Sequence, residues 1–233
     1  MNEILFISLM VFVMLLNLLA FRLGKTYMFI LIALYAVVMN IFVIKQFTLF
    51  GMAITGGNAM YGAIFLLTDL LSEHYGKKEA FKSVWIGFAA MLFFVVITQV
   101  IIAFTPNEFD FAHQALVTLF SVIPRILFGS FLAYLIAQNL DVFLFNKIKQ
   151  FTKGKFLFLR NNGSTLVSQF IDSIIFTAVG LTTFSFLPIA GVIPFEVFWE
   201  VTLLTYFIKV VIAAVDTPFI YLSYYIKPKE LKA

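Results

Sequence analysis

The feature that most constrains this chain is a series of long, uninterrupted apolar stretches. Each is about 18–25 residues long, the length at which an α-helix crosses the hydrocarbon core of a bilayer. A membrane β-barrel would instead show alternating segments of about ten residues. The sequence therefore predicts an all-α, polytopic membrane helix bundle with seven transmembrane helices, at residues 4–21, 27–44, 47–70, 84–104, 115–138, 165–187 and 201–225.

Composition excludes most other classes of protein. Of the 233 residues, 62% are hydrophobic and 12% are charged, whereas a soluble domain has about 45–50% apolar and about 25% charged residues. Seven helices leave only short loops, with no room for an ATPase or kinase domain, and no P-loop pattern occurs. Because the chain has no cysteine, disulfides and cysteine-bound metals are excluded. We predict no metal site and no cofactor.

The basic residues predict the orientation of the bundle. Only Lys45 falls in a loop on one side, while Arg125 and Lys209 lie inside segments. Because cytoplasmic loops are rich in Lys and Arg, the N-terminus is predicted outside and the C-terminus in the cytoplasm. The first segment has no basic residue ahead of it, so it is predicted to be a retained helix. The loops of the basic side carry Arg22, Lys25, Lys77, Lys78, Lys82, Lys147, Lys149, Lys153, Lys155, Arg160, Lys227, Lys229 and Lys232.

Glycines interrupt the third predicted segment. Two explanations are open. The glycines allow close packing between helices, or they mark a broken helix whose freed backbone groups line a substrate cavity. The four positions are Gly51, Gly56, Gly57 and Gly62.

Charged residues inside the segments indicate a functional site. Each costs ~2.5–3.5 kcal/mol unless it is paired or hydrated. At ~1.5 Å per residue, Arg125, Asp172 and Lys209 fall ~12–20 Å from the outer face of a ~30 Å core, and Asn58 falls at a similar depth. This convergence favours a central substrate site, and an ion pair of Asp172 with Arg125 or Lys209 that serves only structure is the alternative. The five charged positions are Asp69, Arg125, Asp172, Lys209 and Asp216.

Two further expectations concern the cytoplasmic loops. His74 is predicted to be a loop residue, because it follows the third segment in a polar stretch. The basic stretch 141–164 is predicted to be a loop in which Ser164 caps the sixth helix. Asp69 lies near a helix C-terminus, where negative charge is disfavoured, so it is expected to pair with a following lysine or with a ligand.

Several separated motifs resemble the queuosine precursor transporter family, a group of vitamin-uptake-type bacterial membrane transporters. They occur in order over residues 27–225, which makes the set more specific than any one motif. The motifs are FLLTDLLSEHYGKK at 65–78, Arg125 followed by SFLAY at 130–134 and QNLD at 138–141, LRNNGST at 159–165 followed by Ser168, Gln169 and Asp172, and Lys209 with Pro218 in the last segment.

This resemblance implies a function and an organisation of the chain. The implied function is import of 7-cyano-7-deazaguanine or 7-aminomethyl-7-deazaguanine, with queuine as a further candidate, across the bacterial inner membrane for queuosine salvage in tRNA. Residues 1–233 would form one transport domain, with an extra helix at 1–26, a six-helix core at 27–225 and a cytoplasmic tail at 226–233. The expected partners are this small molecule and the lipid bilayer, without direct contact with nucleic acid. A homo-oligomer is an open alternative, and no enzyme activity is expected.

The predicted site combines these residues. A carboxylate can accept two hydrogen bonds from the donor edge of a deazaguanine, an amide can bind its carbonyl, and an aromatic ring can stack on its face. We predict substrate binding by Asn58, Asp69, Arg125, Gln138, Gln169, Asp172 and Lys209. We predict that Glu73, Asp141 and Asp216 gate the cytoplasmic side.

One rival function keeps the same architecture. The chain would be the substrate-binding subunit of a vitamin importer that a separate ATPase drives, with another small heterocycle as its ligand. Copurification with an ATPase would favour this alternative.

Overall fold

The computed structural model describes residues 1–153, 157–183, 191–226 and 228, and within these ranges the chain is mostly helical. Four helical stretches in the described residues are long and apolar enough to cross a membrane: Asn2–Leu23, Lys25–Phe42, Lys78–Ile102 and His113–Ala137. This agrees with the predicted helical membrane class. The total of seven spans and the orientation stay predictions.

Eight α-helices and one β-hairpin make up the described chain. A π-helical turn, Phe176–Leu181, continues the seventh helix, and a 3-10 turn, Phe195–Val197, precedes the eighth. The strands of the hairpin are β1 (Gln46–Leu49) and β2 (Met52–Thr55). The helices are α1 (Asn2–Leu23), α2 (Lys25–Phe42), α3 (Asn58–Tyr75), α4 (Lys77–Ile102), α5 (His113–Phe120), α6 (Ile123–Phe151), α7 (Leu157–Ile175) and α8 (Phe198–Ser223).

The chain divides into two compact units. The first unit contains residues 1–123 and 211–233, and the second contains residues 124–210. In the first unit, α1, α2 and α4 all pack against α3. The apolar face of α3 is fully buried there, and the Asn17 side-chain amide donates a hydrogen bond to the Ala63 carbonyl at 2.7 Å. A polar side chain of α1 thus binds directly to the backbone of the central helix.

The second unit brings the backbones of α6 and the π-helical turn into contact. A Cβ atom added to Gly129 would lie 2.6 Å from both the Cα and the N of Gly180. Such a distance is far below van der Waals contact, so the backbone of Gly180 leaves no room for a side chain at position 129. Small residues allow this close approach between membrane helices.

The third predicted segment is not one helix, and this prediction was wrong at its start. Residues 46–55 form the hairpin, and α3 begins at Asn58. Phe50 and Gly51 form the two-residue turn, with φ of 51° and 82°, as a type I′ hairpin turn requires. Gly57 then passes the carbonyl of Met39 so closely that an added Cβ would lie 2.8 Å from that oxygen. Gly51 therefore allows the turn that interrupts the predicted segment, and Gly57 allows close packing against α2.

The other helix boundaries also differ from the predicted ones. The fifth segment contains a turn at residues 121–122, and α6 continues to Phe151. Because Pro124 lies in the first turn of α6, its missing N–H costs nothing there. Helix α7 begins at Leu157, so Ser164 lies inside the helix and the prediction that it is a cap was wrong. Most of the predicted loop 141–164 is helical, because α6 continues to Phe151 and α7 begins at Leu157.

Candidate substrate site

The centre of the second unit is an ion pair between two helices. The Lys209 ammonium on α8 donates a hydrogen bond to Oδ2 of Asp172 on α7. Asp172 is 9% exposed and Lys209 is 8% exposed, so bulk water hydrates neither charge well. Removing one partner of a buried pair costs ~3–5 kcal/mol, because the other charge is left uncompensated. This is one of the two ion pairs considered from the sequence.

Gln169 lies one helical turn before Asp172 and presents an unmatched acceptor. Among the side chains that the structure describes, its Oε1 atom is buried without a hydrogen-bond partner. Residues three apart on a helix share a face, so Gln169 and Asp172 lie on the same face of α7. A buried unsatisfied acceptor costs about 1–3 kcal/mol. An oxygen left in this state inside the protein is therefore a candidate ligand contact.

Aromatic rings lie on the same two helices. Phe170 of α7 and Tyr206 of α8 contact each other edge to face, with ring centroids 5.1 Å apart. Tyr206 comes three residues before Lys209, so it shares the face of α8 that carries the ammonium. Planar faces and charged groups thus occur together on α7 and α8.

Arg125 is engaged with the backbone at the end of the π-helical turn. Its Nε donates to the Val179 carbonyl at 2.8 Å, and its Nη2 donates to the Thr182 carbonyl. The last carbonyls of a helix have no partner within the helix, so the guanidinium satisfies groups that would otherwise be unpaired in an apolar region. This contact holds the π-helical turn against the start of α6.

The π-helical turn contains a second unmatched polar atom. Thr177 is fully buried, and its Oγ1 has no hydrogen-bond partner among the described residues. Its carbonyl accepts hydrogen bonds from both the backbone N–H and the hydroxyl of Thr182, at 2.9 and 2.8 Å. Single π-helical turns are frequent at functional sites.

Two of the predicted binding residues, Asn58 and Asp69, belong to the first unit, on α3. The Asn58 side-chain amide donates to the carbonyl and the hydroxyl of Thr55, at 3.1 and 3.2 Å, and thereby joins β2 to the start of α3. Asp69 is exposed on α3, and it forms no ion pair with any lysine whose side chain the structure describes. The lysines expected as its partner were Lys77, Lys78 and Lys82, of which Lys77 has a side chain outside that description.

The ends of α3 and α8 are joined by polar contacts of Glu73 and His74. The Tyr224 hydroxyl donates to Oε1 of Glu73. The Ser223 hydroxyl donates to the Ile220 carbonyl at 2.6 Å, and Nε2 of His74 lies at hydrogen-bond distance, 2.7 Å, from the Ser223 hydroxyl oxygen. Burial lowers the pKa of His74, although the nearby Glu73 carboxylate opposes this shift. His74 lies in the last turn of α3, so its assignment to a loop was wrong.

Three other predicted residues lie on described helices but have side chains outside the description. They are Gln138 and Asp141 on α6 and Asp216 on α8. In the part of the chain that the structure describes, no three histidine or carboxylate side chains come together as a metal site requires.

Several polar residues that the structure places in contacts were not among the residues predicted from the sequence. Thr177 gives no sequence signal, because its role depends on the local change from α- to π-helix. Asn17 could have been found, since it is an asparagine in the middle of an apolar run. Ser223 and Tyr224 could not, because their contacts with α3 join residues far apart in the chain.

Comparison with known proteins identifies the family. A family model described as "Putative vitamin uptake transporter" matches residues 55–223. The chain belongs to this family. A Bacillus subtilis (strain 168) protein named "Probable queuosine precursor transporter" is 38% identical over 208 residues, which cover 89% of this chain and 87% of that protein. The resemblance found in the sequence motifs is confirmed.

A second relative is similar over a shorter region. A Haemophilus influenzae protein, also named "Probable queuosine precursor transporter", is 32% identical over 97 residues, or 41% of this chain and 40% of that protein. No solved structure matches the chain at a significant level. This transporter family thus gives the chain its class, a membrane transporter, while the roles of individual site residues stay predictions.

Proposed function

We propose that this protein imports queuosine precursors across the bacterial inner membrane for queuosine salvage. The proposed substrates are 7-cyano-7-deazaguanine and 7-aminomethyl-7-deazaguanine, with queuine as a further candidate. Family membership and the names of the relatives support this class of substrate. The observation that carries the proposal is the buried Asp172–Lys209 pair, with the unmatched Oε1 of Gln169 on a residue one helical turn before Asp172.

The chemistry of these groups fits a deazaguanine. One edge of such a base carries an amide N–H next to an exocyclic amino group, and a carboxylate accepts both. Asp172 takes that edge, Gln169 binds a neighbouring polar group, and the Lys209 ammonium donates to the ring carbonyl. Tyr206 offers a ring for stacking on the planar base.

The remaining predicted residues complete the proposal. Asn58, Asp69, Arg125 and Gln138 are further binding residues in a seven-helix bundle with its N-terminus outside. Glu73, with Asp141 and Asp216, gates the cytoplasmic side. The contact of Glu73 with Tyr224 supports this role, because it joins the end of α3 to the end of α8.

Uptake in cells that cannot make queuosine precursors tests the proposal. The unmodified chain should restore tRNA queuosine when either deazaguanine is supplied, whereas Asp172→Asn and Arg125→Gln should not. Glu108→Gln, in an exposed loop of the first unit, is the matched carboxylate control and should restore it fully. Normal uptake by Asp172→Asn would disprove the site, and no rescue by the unmodified chain would disprove the function.

A further inference from the structure

The Asp172–Lys209 pair raises a question that the proposed function does not answer. The carboxylate that would bind the base is already hydrogen-bonded to a lysine of the same chain. The two groups are 9% and 8% exposed, so the lysine cannot be exchanged for water at low cost. A base that takes both oxygens of the carboxylate competes with the ammonium for Oδ2 and displaces it to another acceptor.

The neighbouring residues offer such an exchange. The Oε1 atom of Gln169 is buried without a partner in the part of the chain that the structure describes, and it lies one turn from Asp172. A planar base with adjacent N–H donors would bind both acceptors at once. It would also bring a carbonyl oxygen, which is an acceptor for the displaced ammonium. The number of satisfied groups then rises when the base binds.

We propose that Lys209 is an internal counter-cation that replaces the substrate at Asp172 while the transporter is empty. The proposal rests on the proposed function and adds a distinct role for Lys209 to it. The lysine neutralises the carboxylate during the step in which the empty protein returns to the outward-facing state. Without the lysine, that step must carry an uncompensated carboxylate through the membrane interior, which is costly.

This role of Lys209 predicts different effects on two transport modes, exchange and net uptake. Exchange of an internal base for an external one needs only loaded states, in which a base that carries an ammonium, such as 7-aminomethyl-7-deazaguanine, donates to Asp172 and compensates its charge. Net uptake also needs the empty return step. Loss of the Lys209 charge should therefore lower the ratio of net uptake to exchange, whereas a lysine that only supports folding would affect both modes equally.

The absence of native cysteine allows a direct test. Lys209→Cys is reconstituted in liposomes with radiolabelled 7-aminomethyl-7-deazaguanine, whose ammonium compensates the Asp172 carboxylate in the loaded state, and both modes are measured. The ratio of net uptake to exchange should fall at least tenfold. Modification with 2-aminoethyl methanethiosulfonate, which adds an ammonium at nearly the length of lysine, should restore the ratio. The neutral methyl methanethiosulfonate should not.

Two variants serve as controls. Lys45→Cys, at an exposed position, should keep the ratio of the unmodified chain before and after labelling. Gln169→Leu should lower both modes together, because it weakens base binding without removing a charge. An unchanged ratio in Lys209→Cys, or equal rescue by the two reagents, would overturn the proposal.

A second measurement uses the unmodified chain, and so does not depend on whether Lys209→Cys folds. The pair keeps the site neutral in both the empty and the loaded state, so uptake of the neutral base 7-cyano-7-deazaguanine should change less than about twofold when a potassium diffusion potential is applied. Uptake driven by the potential would overturn the counter-cation role alone. An unmodified chain that transports no deazaguanine in either mode would overturn the proposed function as well.

Discussion

Gln169 has a buried side-chain oxygen, Oε1, that has no hydrogen-bond partner among the residues that the structure describes. Replacing it by leucine removes a buried acceptor that costs about 1–3 kcal/mol when unpaired. Gln169→Leu should therefore leave the thermal midpoint of the detergent-solubilised protein equal or raise it. Base binding should weaken by up to about tenfold, since a neutral hydrogen bond contributes about 0.5–1.5 kcal/mol.

The changes in thermal stability and in base affinity of Gln169→Leu together separate a binding role from a structural one. Thermal unfolding and equilibrium binding of 7-cyano-7-deazaguanine are measured on the same preparation. Stability lost together with affinity would show that Gln169 supports the fold instead of binding the substrate. Thr202→Val is a suitable control on α8, because the Thr202 hydroxyl already donates to the Phe198 carbonyl.

Arg125 differs from Gln169 because its donors are in use. Arg125→Ala removes the hydrogen bonds to the carbonyls of Val179 and Thr182. The expected loss of stability is about 1–3 kcal/mol, because membrane hydrogen bonds contribute less than their apolar surroundings suggest. The measurement is thermal unfolding in detergent. Arg22→Ala, at an exposed position, should change the midpoint little, and an equal effect of both substitutions would contradict this role.

The individual charges of the site were more predictable from sequence than their partners. Asp172 and Lys209 are conspicuous because charge is rare in apolar segments, and a pair between them was one of the alternatives. The engagement of Arg125 with backbone carbonyls was not predictable. It depends on where α7 changes to a π-helix, and no local residue pattern signals that change.

The crossing of α6 and the π-helical turn depends on a pair of glycines. Gly129→Ala would place a Cβ 2.6 Å from the backbone of Gly180, and backbone atoms cannot rotate away as a side chain can. We expect this substitution to lower the thermal midpoint and transport together. Gly163→Ala, whose Cβ would meet only the end of Ile148 at 3.5 Å, should be neutral or stabilising by up to about 1 kcal/mol. Equal midpoints for the two variants would contradict the contact.

The junction between the ends of α3 and α8 should respond to pH. Because burial lowers the pKa of His74 in the folded protein, the unfolded chain binds the proton more strongly. The contribution of neutral His74 to the free energy of unfolding is therefore complete above the usual pKa of about 6.5. It is lost as the pH falls through the lowered pKa of the folded protein. Thermal midpoints should fall on acidification from pH 7, and less so for His74→Gln. His113→Gln, the substitution of the other histidine, should keep the full pH dependence of the thermal midpoint. A loss of this pH dependence in His113→Gln would exclude the explanation.

Boundaries of the elements were the least predictable part of the fold. Apolar length identified the helices, because about 20 residues are needed to cross a bilayer. The same criterion missed the hairpin at residues 46–55, since apolar strands joined by a short turn have the composition of a helix. Only the turn at Phe50 and Gly51 distinguishes the two, and such turns usually contain Asn-Gly or Gly-Gly pairs.

The orientation of the whole chain can be tested with single cysteines, which need no prior removal of native ones. Phe111 is 98% exposed between α4 and α5, and the basic loops predict that this region faces outward. Phe111→Cys should react with an impermeant maleimide in intact cells, whereas Lys153→Cys should react only after permeabilisation. The reverse pattern would invert the topology, and labelling of both positions in intact cells would change the number of spans.

Family membership and structure also bear on the predicted extra helix at residues 1–26. The family model begins at residue 55, after α1, α2 and the hairpin. Nevertheless, Asn17 of α1 binds the Ala63 carbonyl of α3, and Asn2 donates to the Thr48 carbonyl of the hairpin at 2.8 Å. The first helix is thus part of the packed first unit, and its removal would expose the buried face of α3.

The π-helical turn sets the angular position of Thr182, the residue that follows it. A π-turn contains one residue more than an α-turn, and one helical residue corresponds to ~100° of rotation and ~1.5 Å of rise. Deleting one residue within Phe176–Leu181 would restore a regular helix but turn the Thr182 carbonyl away from Arg125. The parallel bridge between Thr182 and Ile193 would lose its register as well. The length of this turn, more than the identity of its side chains, keeps the guanidinium and the following chain aligned.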